Sequence, residues 1–310
     1  MATYKELKGI NIQSLDSDPT AVEGEVWYNS GTSLLKMHVA TESWASGGNM
    51  NSARYGVGSA GTQTAGLGFG GDTPTPSVVG IAEEYDGSSW TESGDLNTAR
   101  YNLAGFGTQT AGFGVAGDAT LVVAETYNGS SWSETGDINT GRNVLAGAGT
   151  TTAAIVFGGT PGGKDETESW NGSAWTEVGD LNTGRRQLGG AGTSTAGLAF
   201  GGGPGNKDET EEWNGTSWSE QNNLNTARHV LAGSGIQTAA LAFGGSVNRT
   251  EKYDGTSWTE TSDLATSRGA LGGSPAGTQG TALAFGGTPP ITNATEEFST
   301  GVSTETIAFD

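Results

Sequence analysis

One sequence pattern recurs six times in this 310-residue chain, and the repeat limits the possible folds more than any other feature. In every copy a tryptophan stands ten residues before an arginine. The pairs are Trp44 and Arg54, Trp90 and Arg100, Trp132 and Arg142, Trp175 and Arg185, Trp218 and Arg228, and Trp258 and Arg268. Successive copies are 40 to 46 residues apart, so we interpret the pattern first as repeated architecture and only afterwards as chemistry.

Each copy is predicted to form four short strands. Two runs of apolar and small residues end at a small-residue doublet, which begins sixteen residues after the first five arginines and eighteen after the sixth. The doublets are Gly70-Gly71, Ala116-Gly117, Gly158-Gly159, Gly201-Gly202, Gly244-Gly245 and Gly286-Gly287. A third run ends at an aromatic residue, and five of the six aromatics precede Asp-Gly or Asn-Gly, a strong hairpin signal. The aromatics are Tyr85, Tyr127, Trp170, Trp213, Tyr253 and Phe298.

These features resemble Kelch repeats over about residues 44 to 300: a doublet after the second strand, an aromatic on the third and a tryptophan on the fourth. Kelch proteins form β-propellers in which each repeat contributes one four-stranded blade. The resemblance therefore implies an all-β, six-bladed Kelch-like β-propeller with a short N-terminal extension. We expect residues 1–40 to form an arm or adaptor with a possible hairpin, and residues 41–310 to form the propeller.

The two ends of the repeat array predict how the ring closes. Five residues after Phe298 stands Ser303, where the other copies have a tryptophan. Trp44 has Arg54 at the correct spacing, but Val39 occupies the place of its third-strand aromatic. We therefore expect the Trp44 strand to complete the sixth blade, which would remove the exposed sheet edges. The C-terminal tail, residues 302–310, is the alternative closing strand.

The repeated arginines have a repeated acidic partner, because a glutamate lies two residues before each third-strand aromatic. Successive side chains of a strand point to opposite faces, so residues two apart, such as the glutamate and the aromatic, lie on the same face. We expect a ring of charge-assisted bonds between neighbouring blades or their connectors; the alternative is a ligand-binding ring that lines the channel. The glutamates are Glu83, Glu125, Glu168, Glu211, Glu251 and Glu296.

The sequence offers little for catalysis. It has no cysteine and two histidines, so it predicts no thiolate or three-histidine metal site, no metal and no cofactor. The segment 56–61 matches GxGxxG, but it occupies a hairpin position and not a strand-to-helix turn, which argues against nucleotide binding. No pair of carboxylates stands out from the repeat pattern, so we assign no catalytic residues and expect a non-enzymatic protein.

The net charge of −20 bears on possible partners. Binding to nucleic acid or to an anionic membrane requires clustered lysines and arginines, so neither partner is expected. Residues 1–19 contain no apolar stretch of signal-peptide length, and no segment approaches the roughly 20 apolar residues of a membrane span. We therefore expect neither a signal peptide nor a transmembrane segment.

The copies vary most between the doublet and the third-strand aromatic, whereas the segment from tryptophan to arginine is nearly constant. Variable loops on a fixed scaffold are the usual place for recognition. Because strands alternate in direction, these loops should emerge on the same face as the connectors that contain the arginines. The candidate partner-binding residues in these loops are Lys164, Asp165, Asn206, Lys207, Asp208, Asn248 and Arg249.

A second resemblance concerns function. The phrases at residues 24–30, 44–49 and 97–100 resemble repeat-containing structural proteins of marine bacteriophages. This resemblance implies that the protein is a virion component and belongs to the tail, a fibre or the capsid surface. The arm would attach to other virion proteins, the propeller would contact a host protein or glycan, and the protein could self-associate in the particle. The candidate attachment residues in the arm are Val26, Trp27, Tyr28, Leu34 and Leu35.

Two other functions remain open at this point. A carbohydrate-binding, lectin-like propeller that is not part of a virion is the first. A glycoside hydrolase that uses two of the 34 acidic residues is the second, and the sequence favours it less.

Overall fold

The structure, a computed structural model, describes residues 12–75, 77–118 and 121–308, and all regular elements in these residues are β-strands. Residues 1–11 of the expected arm lie outside the described residues. No helix that could cross a membrane occurs in the described part of the chain. The strands are β1 (Gln13–Leu15), β2 (Val26–Asn29), β3 (Leu34–Ser46), β4 (Gly58–Thr62), β5 (Ala65–Phe69), β6 (Ala82–Tyr85), β7 (Trp90–Glu92), β8 (Ala104–Thr108), β9 (Ala111–Val115), β10 (Ala124–Tyr127), β11 (Trp132–Glu134), β12 (Ala146–Gly149), β13 (Ala154–Phe157), β14 (Thr167–Trp170), β15 (Trp175–Glu177), β16 (Gly189–Gly192), β17 (Gly197–Gly202), β18 (Lys207–Trp213), β19 (Trp218–Gln221), β20 (Leu231–Ile236), β21 (Ala239–Gly244), β22 (Thr250–Tyr253), β23 (Trp258–Glu260), β24 (Thr281–Phe285) and β25 (Thr295–Thr306).

The predicted fold class is confirmed: the chain forms an all-β, six-bladed propeller. Blades 1 to 5 are four-stranded antiparallel sheets of consecutive strands, β4–β7, β8–β11, β12–β15, β16–β19 and β20–β23. The sheet of blade 6 has the order β24-β25-β3-β2-β1, so it includes strands from both ends of the chain. In blade 6 the innermost position is occupied by the segment around Gly272, which pairs with Phe285 only as an isolated bridge.

The Trp44 strand closes the ring, as the repeat spacing predicts. β3 lies beside β25 and supplies the fourth strand of blade 6. The Trp44 ring packs against Phe298 of the same blade and Phe243 of blade 5, with ring centroids 5.3 and 5.1 Å apart. Residues 302–306 of the tail extend β25 and form no separate closing strand.

The chain divides into two compact units. The propeller unit contains residues 44–299, and the terminal unit contains residues 1–43 together with 300–310. In the terminal unit β2 and β3 pair as an antiparallel hairpin, and β1 adds to β2 in parallel. Trp27 is fully buried there, packs against the tilted ring of His38 and donates its indole N–H to Asp18. The terminal unit is therefore not only N-terminal, because the last residues of the chain belong to it.

The inner strands consist of small residues because backbones crowd together near the axis. A Cβ added to Gly105 would lie 2.3 Å from the backbone nitrogen of Ser59 in the neighbouring blade. A Cβ added to Gly58 would lie 2.3 Å from the ring of Phe69. A side chain at Gly105 would separate two blades, and one at Gly58 would displace Phe69 within its own blade, which explains strands of alanine and glycine despite their poor strand propensity.

Aromatic side chains join neighbouring blades. Each repeated tryptophan packs against a phenylalanine of the preceding blade, for example Trp132 against Phe69 with ring centroids 4.6 Å apart. Such aromatic contacts contribute beyond simple area burial. The other pairs are Trp90 with Phe285, Trp175 with Phe113, Trp218 with Phe157, Trp258 with Phe200, and Trp44 with Phe243.

Four of these tryptophans also donate their indole N–H to a threonine hydroxyl of the preceding blade. Trp218 bonds Thr167 in this way at 3.0 Å. Blades 1 and 2 have Ala82 and Ala124 in place of the threonine. Among the described residues the buried Trp132 indole nitrogen has no partner, whereas Trp175 finds a backbone carbonyl. The other three pairs are Trp258 with Thr210, Trp44 with Thr250 and Trp90 with Thr295.

Candidate recognition face

The repeated arginines and glutamates form buried ion pairs. Arg185 Nη2 donates to Glu211 Oε1 at 2.8 Å, and its Nη1 donates to the carbonyls of Gly201 and Glu209 at 3.0 and 2.7 Å. Burial lowers the pKa of Arg185, and the Glu211 carboxylate acts in the opposite direction. The other pairs, all with side chains at most 6% exposed, are Arg54–Glu83, Arg100–Glu125, Arg142–Glu168, Arg228–Glu251 and Arg268–Glu296.

Each pair joins the connector that carries the arginine to the blade that follows it. The arginine carbonyl accepts a hydrogen bond from the doublet of the preceding blade, as in Gly202 N–H to Arg228 O at 2.9 Å. The arginine thus holds two blades at once. Because the guanidinium groups lie inside the blades, they do not line the central channel. The same bonds place the doublets, and the variable loops that follow them, beside the connectors; we call this side of the propeller the connector face.

An asparagine completes five of the six ion pairs, and this role was not predicted from the sequence. Asn182 donates its backbone and side-chain N–H groups to Glu211 Oε2 at 2.7 and 2.9 Å. The available signal was an asparagine three residues before five of the six arginines, with Ala265 in the sixth copy. The Ala265 backbone N–H still bonds Glu296, at 2.7 Å. Both oxygens of the buried carboxylate are therefore occupied by structural partners.

A closed ring of backbone hydrogen bonds surrounds the propeller axis on the connector face. Its members stand two residues after each arginine, and each N–H donates to the carbonyl of the equivalent residue in the preceding blade at 2.7 or 2.8 Å. The ring closes between Gly56 N–H and Ala270 O. All members have positive φ angles between 48° and 61°. This axial ring consists of Gly56, Asn102, Val144, Gln187, Val230 and Ala270.

Several spaces lie along the channel among the described residues. A depression of about 100 Å³ lies at the axial ring, and a chamber of about 110 Å³ follows it. The opposite end opens into a cavity of about 410 Å³ bordered by the inner hairpin turns. Pro275 lines both the chamber and the larger cavity, and Ala276 N–H bonds Gly61 O of blade 1. The two additional residues of the sixth copy therefore place Pro275 at the axis.

A second set of residues adjoins the axial ring along the chain, one residue after each arginine. The members, which we call the mouth residues, are Tyr55, Tyr101, Asn143, Arg186, His229 and Gly269. The ring centroids of Tyr55 and Tyr101 are 6.2 Å apart. Tyr55 donates to Asp72 at 2.7 Å, and this bond raises the pKa of Tyr55 to about 12. Tyr55 is therefore a neutral donor at neutral pH and not an activated nucleophile.

The candidate partner-binding residues lie in three consecutive loops beside the connectors. Lys164 and Lys207 pair with Glu166 and Glu209 at 2.6 and 2.9 Å. Their backbone carbonyls accept the N–H groups of the next connectors at 2.8 and 3.0 Å. A Cβ at Gly163 would lie 3.3 Å from the Pro204 ring, so the loops of blades 3 and 4 approach each other.

The remaining candidates of these loops make local contacts. Asp208 accepts from Asn223 at 3.3 Å, and Asn206 bonds His229 Nδ1 at 2.7 Å. In blade 5, Asn248 donates to the Leu264 carbonyl at 3.3 Å, and Arg249 lies 3.4 Å from Glu260. Asp165 has an exposed side chain, and its carbonyl accepts the Leu181 N–H. The structure thus gathers the loops of blades 3 and 4 and places 248–249 in the next loop.

The candidate attachment residues have different environments in the terminal unit. Trp27 and Leu35 are buried within the unit, and Val26 and Tyr28 are half-buried. Only Leu34 is an exposed large apolar residue, at 42%. The unit also exposes Val22 and Val302, which the sequence analysis did not select. Trp27 and Leu35 therefore form the core of the unit and need no partner to bury them.

The carboxylates buried in the blades have structural partners. The six buried glutamates are all paired with arginines. Across the described residues, no group of three or more histidine, aspartate or glutamate side chains could hold a metal ion. A scan against protein-family models gives no match, and neither does a search of curated proteins.

Proposed function

We propose that this protein is a non-enzymatic structural component of a phage virion, on the tail, a fibre or the capsid surface. It presents the connector face of a Kelch-like propeller for recognition and is attached through the terminal unit. One observation carries the proposal: the side chains common to all repeats are buried as scaffold, while those that differ gather on one face. The resemblance of three sequence phrases to phage structural proteins supports the virion role.

The recognition half rests on the connector face. The ion pairs and asparagines that build the connectors are the same in nearly every blade, so they fix the positions of the loops. The loops at 160–166 and 203–208 differ in sequence, but both lie beside connectors of the same structure. A rigid scaffold that displays variable loops suits binding to a host surface protein or glycan.

The attachment half rests on the terminal unit. It is a compact unit separate from the repeats and exposes Val22, Leu34 and Val302, at 60%, 42% and 38%. Exposed large apolar side chains on a small unit are candidates for burial against another protein. Other virion proteins are the proposed partners, and copies of this chain can meet in the same particle.

Two variants test the halves separately. Removing residues 1–36 should abolish incorporation into particles and leave the propeller folded, as measured by mass spectrometry of purified virions and by thermal unfolding. A milder triple variant, Val22→Ser, Leu34→Ser and Val302→Ser, should reduce incorporation without removing any strand. Normal incorporation of both would disprove the attachment role.

The loops are tested by replacing 160–166 and 203–208 with glycine and serine. Particles should still contain the protein, but their adsorption to the host should be impaired. Unchanged adsorption would disprove the recognition role. A matched control replaces the exposed hairpin turn 128–131, which lies outside the variable loops and should leave adsorption intact.

A second function is favoured by the neighbouring rings of Tyr55 and Tyr101, since aromatic platforms are suited to sugars. A carbohydrate-binding propeller that is not part of a virion would bind glycans on an array and yet be absent from purified particles. The two measurements together separate the two proposals.

A further inference from the structure

The accessible positive charges of the propeller are concentrated on one side. Apart from the six buried arginines, the propeller unit contains five lysines and arginines, and all of them belong to blades 3 to 5. They are Lys164, Arg186, Lys207, Arg249 and Lys252. The chain has a net charge of −20, so these few cations stand in acidic surroundings, and most of them have a carboxylate close by. The first four lie on the connector face.

Arg186 differs from the other three cations of this face. Lys164, Lys207 and Arg249 each have a carboxylate within 4 Å. Within the described residues, Arg186 has no carboxylate at ion-pairing distance. A half-buried guanidinium with all its donors available fits a planar carboxylate, because both oxygens can be bound at once.

The neighbours of Arg186 around the axis supply further hydrogen-bonding groups. His229 follows it in the next blade, and its Nδ1 is held by Asn206 at 2.7 Å, which leaves Nε2 for a ligand. Asn143 precedes it, and the Asn143 side-chain oxygen is buried without a partner among the described residues. An unpaired amide oxygen in the copy that precedes Arg186 is a group that a ligand hydroxyl can bind.

The opposite part of the mouth is aromatic. Tyr55 is fixed by Asp72, and its ring meets the Tyr101 ring edge-on, with an interplanar angle of 69°. Tyr101 and Arg186 are two steps apart around a six-membered ring.

The backbone under these side chains is strained. Val144 and Val230 have φ angles of 48° and 53°, and branched residues rarely adopt this left-handed conformation. Gly56 occupies the same position in blade 1 without this cost. Strain of this kind persists where the surroundings impose it and is frequent at binding sites. Here the hydrogen bonds of the axial ring impose the conformation in all six copies, so the strain belongs to the scaffold under the mouth residues.

We propose that the mouth residues bind an acidic saccharide. Arg186 and His229 hold the carboxylate, Asn143 and Gln187 bond hydroxyl groups, and Tyr101 packs against a sugar ring. An acidic peptide would use Arg186 equally well, but it has no need of the tyrosines and amides that complete the circle. The inference rests on the proposed recognition role and names its ligand class.

The test uses calorimetric titration of the full chain with four carboxylated probes: digalacturonate, trigalacturonate, dimannuronate and sialyllactose. At least one should bind, and galactobiose, the neutral counterpart of digalacturonate, should bind at least tenfold more weakly. Binding should weaken with added salt, because it depends on a charge pair. Binding to none of the four probes, or equal binding to galactobiose, would overturn the proposal.

Variants locate the site. Arg186→Ala should weaken binding at least tenfold, and Tyr101→Ala should also weaken it, both without a change in melting temperature. Lys252→Ala removes the same charge from the third strand of blade 5 and should leave binding unchanged. If Arg186→Ala and Lys252→Ala weaken binding equally, the effect arises from the net charge of the protein, and the proposed site is refuted.

A glutamate-rich peptide serves as the competing ligand. If it binds through Arg186 while no saccharide does, the mouth is a peptide site and the saccharide proposal is wrong. These outcomes are distinct from failure of the proposed function, which is decided by particle incorporation and by adsorption of the loop variants. If the protein is found in virions but binds no saccharide, the proposed virion role stands and only the proposed ligand class is wrong.

Discussion

The buried Arg185–Glu211 pair offers the most direct test of how the blades are held. The change Arg185→Ala removes the ion pair at 2.8 Å and two hydrogen bonds to backbone carbonyls at 3.0 and 2.7 Å. None of these groups reaches solvent, because the side chains of Arg185 and Glu211 are 0% and 1% exposed. Water cannot replace the lost partners without opening the blade.

Removing one partner of a buried pair costs about 3 to 5 kcal/mol, since a charge remains without compensation. Glu211 keeps two hydrogen bonds from Asn182 on its other oxygen, which places the expected loss near the lower limit, at about 3 kcal/mol. For a domain of this size, such a loss corresponds to a fall in melting temperature of about 6 to 12 °C.

Equilibrium urea unfolding and thermal unfolding measure this loss. The adjacent Arg186→Ala is a matched control, because Arg186 is half-buried and unpaired, and it should change the unfolding free energy by less than about 0.5 kcal/mol. The double variant Arg185→Met, Glu211→Leu should recover much of the loss, since it leaves no buried charge. A loss under about 1 kcal/mol for Arg185→Ala would show that the pair behaves as a solvated one and refute the reasoning.

Three further predictions concern closure, an unpaired donor and pH. Deleting residues 41–50 should remove the closing strand and lower stability cooperatively, and an unchanged melting curve would contradict the closure. Ala82→Thr should stabilise by about 1 kcal/mol by giving the Trp132 indole a partner, whereas Ala124→Thr should not; equal effects in chemical unfolding would exclude this cause. Burial raises the pKa of Tyr127 from 10.0 to about 12, so the unfolded chain loses this proton first and stability should fall between these pH values. In unfolding titrations from pH 9 to 12, the unfolding free energy of Tyr127→Phe should fall less steeply with pH than that of the unchanged protein. Identical slopes in the two proteins would refute the assignment to Tyr127.

The blade count and the closing strand were predictable because their signals are spacings along the chain. The ten residues between Trp44 and Arg54, and the serine at position 303, indicate an incomplete copy at each end. The Arg–Glu pairing was predictable for the same reason, since strand alternation fixes which side chains share a face. The same spacing of arginine and glutamate occurs in every copy, so one interpretation of it holds for all six blades.

Other features of the structure leave no recognisable pattern in the sequence. The unpaired Trp132 indole depends on Ala82 in the neighbouring blade, and only the packing shows that the two positions meet. The terminal unit joins residues 1–43 to 300–310, and strand pairing between distant segments leaves no local pattern. Arg186 directly follows Arg185 and is the same residue type, yet Arg185 is buried and paired while Arg186 is half-buried and has no carboxylate partner among the described residues. Its isolation from carboxylates was visible only in three dimensions.

The axial ring has a consequence for how such a protein can diversify. Its hydrogen bonds join main-chain atoms only, so the ring does not depend on which side chains the adjacent mouth residues carry. Tyr55, Tyr101, Asn143, Arg186 and His229 can therefore be exchanged together with little loss of fold stability, unlike Gly269, where a Cβ would lie 2.6 Å from Val230. A library randomised at those five positions should remain folded while its ligand preference changes, and related chains could evolve new specificities in the same way.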